Sequence, residues 1–334
     1  MRYYRIEITD SNGKRLTDAA GNEFFWDSST NPAGALNVSL DLPVMAEDVN
    51  VGGGMVIIGG LPLSMLSQSV NLWLATITIE AGFKPGLPLA SAQPMPGMIV
   101  QGQIWNPYGN WEGTQQTLNL VVNPSSSLDD TGKPIALAFD GKRGEKLADV
   151  LRRCLTKGYP KKKINIDIHH NLVLAEDMPA LPFNKLSDLA RMIKDNTPGM
   201  LNIPGYSGVQ IVTQSGQINV FDSSSQPSDH RVILPQDLIG QPTWNGFNQV
   251  SFKTPLRADL RVGDRISLPQ NIVDGPASLL ALSSAQSFSQ QQTQVNFSGQ
   301  FYVSSMRHIG EYRNPSGTAW VTTFDVVPIP KNTD

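Results

Sequence analysis

"FNQVSFKTPLRADLRVGDRISLPQ", residues 247–270, carries no conventional catalytic or ligand-binding motif, yet its patterning is strong. Val250 and Phe252 alternate with Gln249, Ser251 and Lys253, which predicts a strand with one apolar and one wet face. Leu260 and Val262 precede Gly263-Asp264, and Ile266 and Leu268 follow it. That arrangement predicts a tight hairpin turning on the two central residues. Pro269 ends the run because it brings no N–H to a ladder. Lys253, Arg257, Arg261 and Arg265 lie along the segment, offset by Asp259 and Asp264. They read either as a solvated, paired strand face or as groups that meet a neighbour.

The surroundings are built the same way. Only 16% of the 334 residues are charged, while 29 Gly and 24 Pro punctuate the chain, a balance that suits a turn-rich β protein. The length corresponds to about two domains, with large cores available. One cysteine, Cys154, excludes an intramolecular disulfide framework and a multi-cysteine zinc site. The start, "MRYYRIEITD", enters an alternating strand without a signal-like segment, and no run of 18 apolar residues occurs, so synthesis in a cytoplasm and no membrane-spanning segment are expected. A net charge of −3 argues against general affinity for nucleic acid.

Residues 1–123 read as a first β-barrel domain. "YYRIEIT" runs into the turn signal Ser11-Asn12-Gly13, Leu36, Val38, Leu40 and Leu42 alternate up to Pro43, and "GGGMVIIGG", "GMIVQGQIWNPYGNW" and "TLNLVV" add strands. "LWLATITIEAG" is expected to be the longest strand, and no helix is expected in the region. Residues 124–235 read as an α+β insert. Leu147, Val150, Leu151, Cys154 and Leu155 have helical spacing ending at Gly158 as C′ residue; Leu186, Leu189, Ala190 and Ile193 repeat the pattern, with Asn184 as N-cap and Thr197-Pro198 as stop. "KINIDIHHNLVL" reads as a strand between the helices, and "GVQIVTQSGQINVFD" as a hairpin turning at Ser215-Gly216. Residues 236–334 read as a second β-barrel domain interrupted by a Ser- and Gln-rich loop at 273–299.

No enzymatic centre stands out. His169-His170 would point to opposite faces of a strand, so the two rings are poorly placed to share a metal, and His230 and His308 are solitary. Cys154 sits on an apolar helix stripe, where a packed hydrophobe is the simpler reading. Gly52-Gly53-Gly54 lacks the Lys-Ser/Thr of a phosphate loop. Lys161-Lys162-Lys163 reads as a solvated connector. Trp105, Tyr108 and Trp111, in what reads as a tight turn, could form either a carbohydrate-binding face or packing. A carboxylate pair of a polysaccharide- or cell-wall-degrading enzyme stays open, but nothing singles one out.

Val262, Gly263, Asp264, Leu268 and Pro269, followed by His308, Gly310, Glu311, Trp320 and Thr322, resemble the last β domain of the baseplate hub family of tailed bacteriophages. The opening "RIEITDSNG" through "GNWEGTQQTLNLVV" resembles the first domain of Mu-like and related hubs. The resemblance implies a non-enzymatic virion protein without cofactor, made of two tail-tube-like antiparallel β barrels with a smaller α+β part. It further implies a homotrimeric, pseudo-hexameric ring that joins the tail tube or distal tail protein to a trimeric spike, meets other baseplate proteins, and passes the tape-measure protein and DNA. The hub of a phage-tail-like bacterial injection device is the alternative within this class. No lysozyme-like or peptidase segment is recognised, so cell-wall cleavage is not implied.

Within this reading Arg257, Arg261 and Arg265 are candidates for interface pairing. Residues 1–123 hold five Lys/Arg against ten Asp/Glu, residues 124–235 fourteen against twelve, and residues 236–334 seven against seven. An acidic wall would let DNA slide where a basic one would hold it. Glu7, Asp10, Asp41, Glu47, Asp48 and Glu80 are therefore channel-lining candidates, with Asp18, Glu23, Asp27 and Glu112 behind them; the alternative is that they solvate the barrel's outside.

Overall fold

The computed structural model describes residues 1–49, 52–84, 96–129, 131–201, 203, 206–223, 230–246, 248–269 and 300–329. The 273–299 loop reading lies outside these residues. The first region holds β1 (Arg2–Thr9), β2 (Phe25–Asp27), β3 (Asn37–Val44), β4 (Gly54–Gly59), α1 (Leu63–Leu66), β5 (Thr76–Phe83), β6 (Gly97–Glu112) and β7 (Gln115–Asn123). The middle holds β8 (Leu137–Gly141), α2 (Leu147–Gly158), β9 (Lys163–Asp167), β10 (Met178–Phe183), α3 (Leu186–Asn196), β11 (Gln210–Gln214), β12 (Gln217–Phe221) and β13 (Arg231–Val232). Then come β14 (Thr243–Gly246), β15 (Gln249–Pro255), β16 (Arg265–Ser267), β17 (Gln300–Glu311) and β18 (Trp320–Pro328). The fold is mainly antiparallel β, as the patterning predicts.

Alternation decides which face each strand buries. In β1, Tyr4, Ile6 and Ile8 enter the core; in β3, Val38, Leu40 and Leu42 do; in β18, Trp320, Phe324 and Val326 do. Burying one such side chain contributes about 1.5–3 kcal/mol. Three cores result. The first gathers residues of β1 and β3 to β7 with Leu256 and Trp320. The second lies under α2 and α3. The third joins β14 to β18 residues with Val44 and Ala46 from the end of β3, and Val212 and Phe221 from the middle.

One sheet runs in the order β14-β15-β18-β17-β3-β4-β7-β6-β5-β1-β2, with β16 and β13 attached beside β17. The two β regions are thus hydrogen-bonded edge to edge through β17 and β3, from Met306 opposite Val44 to Glu311 opposite Ser39.

The halves of this sheet repeat one another. In β6 a bulge falls where Ile104 pairs with Val122 and Asn106 with Val121; in β17 it falls where Val303 pairs with Val326 and Ser305 with Asp325. At the bulge Leu74 N–H donates to Ile104 O and Ile104 N–H to Ala75 O, both at 2.9 Å; correspondingly, Gly263 N–H donates to Val303 O at 2.9 Å and Val303 N–H to Asp264 O at 3.0 Å. Leu74 and Gly263 both have positive φ, 64° and 99°. Further along, Leu120 faces Val56 as Phe324 faces Phe252. The set β3-β4-β7-β6-β5 therefore corresponds to β14-β15-β18-β17-β16.

Several local expectations are corrected. Gly263-Asp264 does turn the chain, with Asp264 N–H on Arg261 O at 3.1 Å, but residues 260–262 form no strand and β16 pairs with β17 and β13. The positive φ at Gly263 serves the docking on Val303 described above. The 72–82 run shortens to β5 of 8 residues because Leu74 takes a positive φ, and β6, with 16, is the longest strand among the described residues. α1 and a 3-10 turn at Ser69–Leu72 stand where no helix was expected. Gly158 is the last residue of α2 rather than its C′ residue, and an added Cβ there would lie 2.2 Å from Leu137 Cδ2; close approach explains the glycine. The N-cap of α3 is Lys185, without a side-chain cap bond, so Asn184 does not cap it. The Ser215-Gly216 hairpin is as predicted, with φ of 49° and 73°.

Candidate functional site: an uncovered sheet face and its edges

From β6 through β7, β4, β3 and β17 to β18, the residues pointing away from the cores form one face. The register aligns Val121, Met55, Asp41 and Ile309 across β7, β4, β3 and β17, with Pro43, Arg307 and Thr323 in a neighbouring row. Met55 and Ile309 are exposed, at 37% and 38%. Asp41 and Arg307 meet as a bidentate pair, Nε to Oδ1 at 2.5 Å and Nη2 to Oδ2 at 2.5 Å, across the β3–β17 seam. A groove of about 520 Å³ lies over the seam, lined by Asp41, Pro43, Met55, Arg307, Ile309 and Asp325. Asp41 and Asp325 line it with Arg307, and Glu311 lies further along β17 in the same outward parity.

The other acidic candidates lie elsewhere. Glu7 on β1 pairs with Arg15 at 2.5 Å, and Arg15 also holds Glu23 at 2.9 Å. Asp10 accepts the N–H groups of Asn12 and Lys14 and shapes the first turn. Tyr3 Oη donates to Glu80 at 3.4 Å on the neighbouring β5. Asp18 is 4% exposed and accepts the N–H of Ala20 and Asn22, and Asp27 accepts from Ser29. Glu112 is exposed at the end of β6. Glu47 and Asp48 follow β3, where the middle region docks: Asp48 meets Lys194 of α3 at 2.5 Å, and Glu47 N–H donates to Ile211 O at 2.8 Å. Burial pushes the Glu47 carboxyl above its ordinary range, and the Lys162 charge pulls it partly back. Burial brings Lys162 down to about 8, Glu47 opposing.

The basic candidates divide. Arg257 is 4% exposed, so it is no surface group: Nε and Nη2 donate to Asp259 at 2.6 Å each, and Nη1 stands 3.9 Å from Asp237. The apolar face of β15 carries the chain into the core at Leu256, which draws the next residue inside with its counter-ions. Arg261 is exposed, and Arg265 is half-buried with Nη2 3.5 Å from Ser223 O. The Lys run is not a solvated connector either, since Lys161 Nζ donates to Ser11 O at 2.8 Å and Lys162 Nζ to Pro124 O at 2.6 Å, tying the middle region to the first.

His169 and His170 sit in a turn after β9, not on a strand, and their rings stack with centroids 4.6 Å apart. Among the described residues no group of three or more His, Cys, Asp or Glu side chains is placed to hold a metal, and no helix is long and apolar enough to cross a membrane. Cys154 is 2% exposed, and burial pushes its thiol up to about 11. Trp105, Tyr108 and Trp111 lie on β6 rather than in a tight turn, exposed at 44%, 42% and 64%; the turn comes later, at Gly113 with φ 58°. Their edge position is legible only once β6 is known to run past its β5 partner.

His308 is 1% exposed on β17, with Nδ1 2.9 Å from Thr322 Oγ1, and burial pushes it down to about 4. Its folded value lies below the ordinary one near 6.5, so the unfolded chain takes up a proton that the native state refuses. Stability is expected to fall by about 3 kcal/mol as pH drops from about 6.5 to about 4, and to gain no further loss from this group below that. Urea midpoints across this range should fall more steeply for the native sequence than for His308→Gln; equal slopes would refute the assignment.

No protein-family model matches the sequence, and no curated protein matches it either. Solved structures do match in fold. A tail protein from Neisseria meningitidis MC58 superposes with a TM-score of 0.51 at 9% identity, over 97% of this chain and 96% of that one. The 43 kDa tail protein of prophage MuSo2 from Shewanella oneidensis superposes at 0.51 with 6% identity, over 98% and 97%. The chain thus has the fold of phage tail proteins along nearly its whole length.

Proposed function

We propose that this chain is a non-enzymatic structural subunit at the hub of a phage-type tail. In this reading three copies close a ring of six barrels that joins a sixfold tube to a threefold spike. The single observation that carries it is the internal repeat, two five-stranded sets with the same strand order and the same bulge joined edge to edge through β17 and β3. A ring of three such chains presents six near-equivalent units, which meets the symmetry demands of both neighbours. The tail-protein fold supports the same reading.

The uncovered face around the Asp41–Arg307 seam is the proposed channel wall for tape-measure protein and DNA. Of the six acidic candidates Asp41 alone belongs to its strands, and Glu311 and Asp325 join it there. Paired Asp41 and Arg307 keep this wall from presenting a bare cation, and the surplus carboxylates leave it mildly acidic, so that polyanions pass without counterion-driven adhesion. The two remaining surface arginines, Arg261 and Arg265, are proposed to meet baseplate neighbours. Images of particles down the tail axis are expected to show threefold density that looks nearly sixfold at low resolution. A true sixfold ring of this chain would refute the reading.

A further inference from the structure

We propose that the cavity between the end of β3 and the middle region is a docking site for a basic side chain, arginine or lysine, of a partner protein. The site lies within a single chain and does not depend on the ring. Alternation lays its floor. Val44 and Ala46 turn into the third core, so Pro43, Met45 and Glu47 keep the parity of the outward face. A carboxylate of that parity would ordinarily stand in water. Here the middle region docks over it, Glu47 N–H donating to Ile211 O at 2.8 Å and Lys194 holding Asp48 at 2.5 Å. Glu47 is thereby enclosed with Thr213 of β11 and Ser125 of the turn after β7.

The cavity measures about 390 Å³, and its inner wall is built of acceptors. Ser125 Oγ donates its one proton to Asn123 Oδ1 at 2.9 Å, so it offers the cavity only lone pairs. Thr213 is 5% exposed, and its Oγ1 stands beside the Glu47 carboxyl without a hydrogen-bond partner among the described residues. Lys162 tempers the burial of Glu47 by its charge, but its Nζ donates to Pro124 O at 2.6 Å. A buried carboxylate among acceptors is completed by a charged group that only donates. Ammonium and guanidinium are the side-chain groups of that kind.

Trp105 of β6 adds an aromatic wall, 44% exposed, and an indole face favours a cation over a neutral group. The surroundings point to a side chain carried on a polypeptide. Pro43, Met45 and Gly53 line both this cavity and the groove over the Asp41–Arg307 seam, so the two are continuous. An extended segment lying on the sheet face would reach Glu47 with one long side chain. Lys185, exposed at the start of α3, also borders the cavity and opposes such a charge. Its removal therefore distinguishes a cation site from an anion site.

The test titrates the full chain with N-acetylarginine methylamide and with its neutral isostere, N-acetylcitrulline methylamide, following backbone amide NMR signals. The arginine compound should shift the signals of Glu47, Thr213 and Trp105 saturably and bind about tenfold more tightly than the citrulline compound, the loss expected when a charged hydrogen bond is removed. Glu47→Gln should abolish that preference, and Trp105→Ala should weaken binding of the arginine compound about two- to fivefold. Lys185→Gln should strengthen it, where a site for anions would respond in the opposite sense. Equal affinity for the two compounds, no saturable shift at these residues, or tighter binding of methyl glucoside overturns the proposal. The Lys185 and Trp105 variants change exposed side chains, so they keep the test decisive even if Glu47→Gln fails to fold.

Discussion

Trp320→Ala is expected to lower stability by about 3–5 kcal/mol, the range for removing a fully buried aromatic side chain. Trp320 belongs to the last strand, yet its ring is 0% exposed within the core of the first region. Its Nε1–H donates to Gly82 O at 3.0 Å, and Tyr312 meets the ring edge-on at 5.8 Å. Gly310 opposite it on β17 is small for this reason, since an added Cβ would lie 2.6 Å from the indole. The Ala variant leaves a cavity under both regions and a carbonyl without its donor. Arg2, which donates to the Glu311 and Tyr312 carbonyls at 3.1 Å each, clamps the loop that follows β17 from the other side. A fall in denaturation midpoint worth less than about 1 kcal/mol would show that the two regions do not share this core. The loss should also appear as one cooperative transition, because the cavity touches residues of both regions.

Arg257→Ala is expected to cost a comparable amount, about 3–5 kcal/mol, because it leaves buried carboxylates without their counter-ion. Asp237 is 2% exposed and the Asp259 side chain 12%, and Arg231 reaches Asp259 only at 3.4 Å. Breaking such a cluster from one side is worse than removing it whole, so Arg257→Met combined with Asp237→Asn and Asp259→Asn should recover much of the loss. Arg257→Lys should fall between, since a single ammonium cannot reproduce the two parallel bonds to Asp259. Equal stability of Arg257→Ala and the native chain, by urea denaturation, would place the guanidinium in solvent and contradict its burial.

Residue patterning by itself determined the class of the protein. The period-two runs of β1, β3 and β18 and the helical stripes of α2 and α3 are local properties, because side-chain direction follows directly from backbone geometry. Turn chemistry at Ser11-Asn12-Gly13 and Ser215-Gly216 is local in the same sense. The burial of Cys154 on its helix stripe was readable too.

Tertiary structure alone decided what each strand lies beside. Leu260, Val262, Ile266 and Leu268 have the spacing of a hairpin, but Gly263 docks on Val303, 40 positions away, and a contact so distant leaves no mark in local alternation. The fate of charge was equally hidden. Arg257, Arg261 and Arg265 recur at equal intervals, yet one is buried with two aspartates, one exposed and one half-buried, because exposure depends on what packs above a residue. Asp41 and Arg307 are 266 positions apart and meet only because β3 and β17 share an edge. The repeat of the two strand sets lies in hydrogen-bond register and in the bulges at Ile104 and Val303, where any side chain that alternates correctly will serve; that tolerance lets the geometry recur while the residues differ.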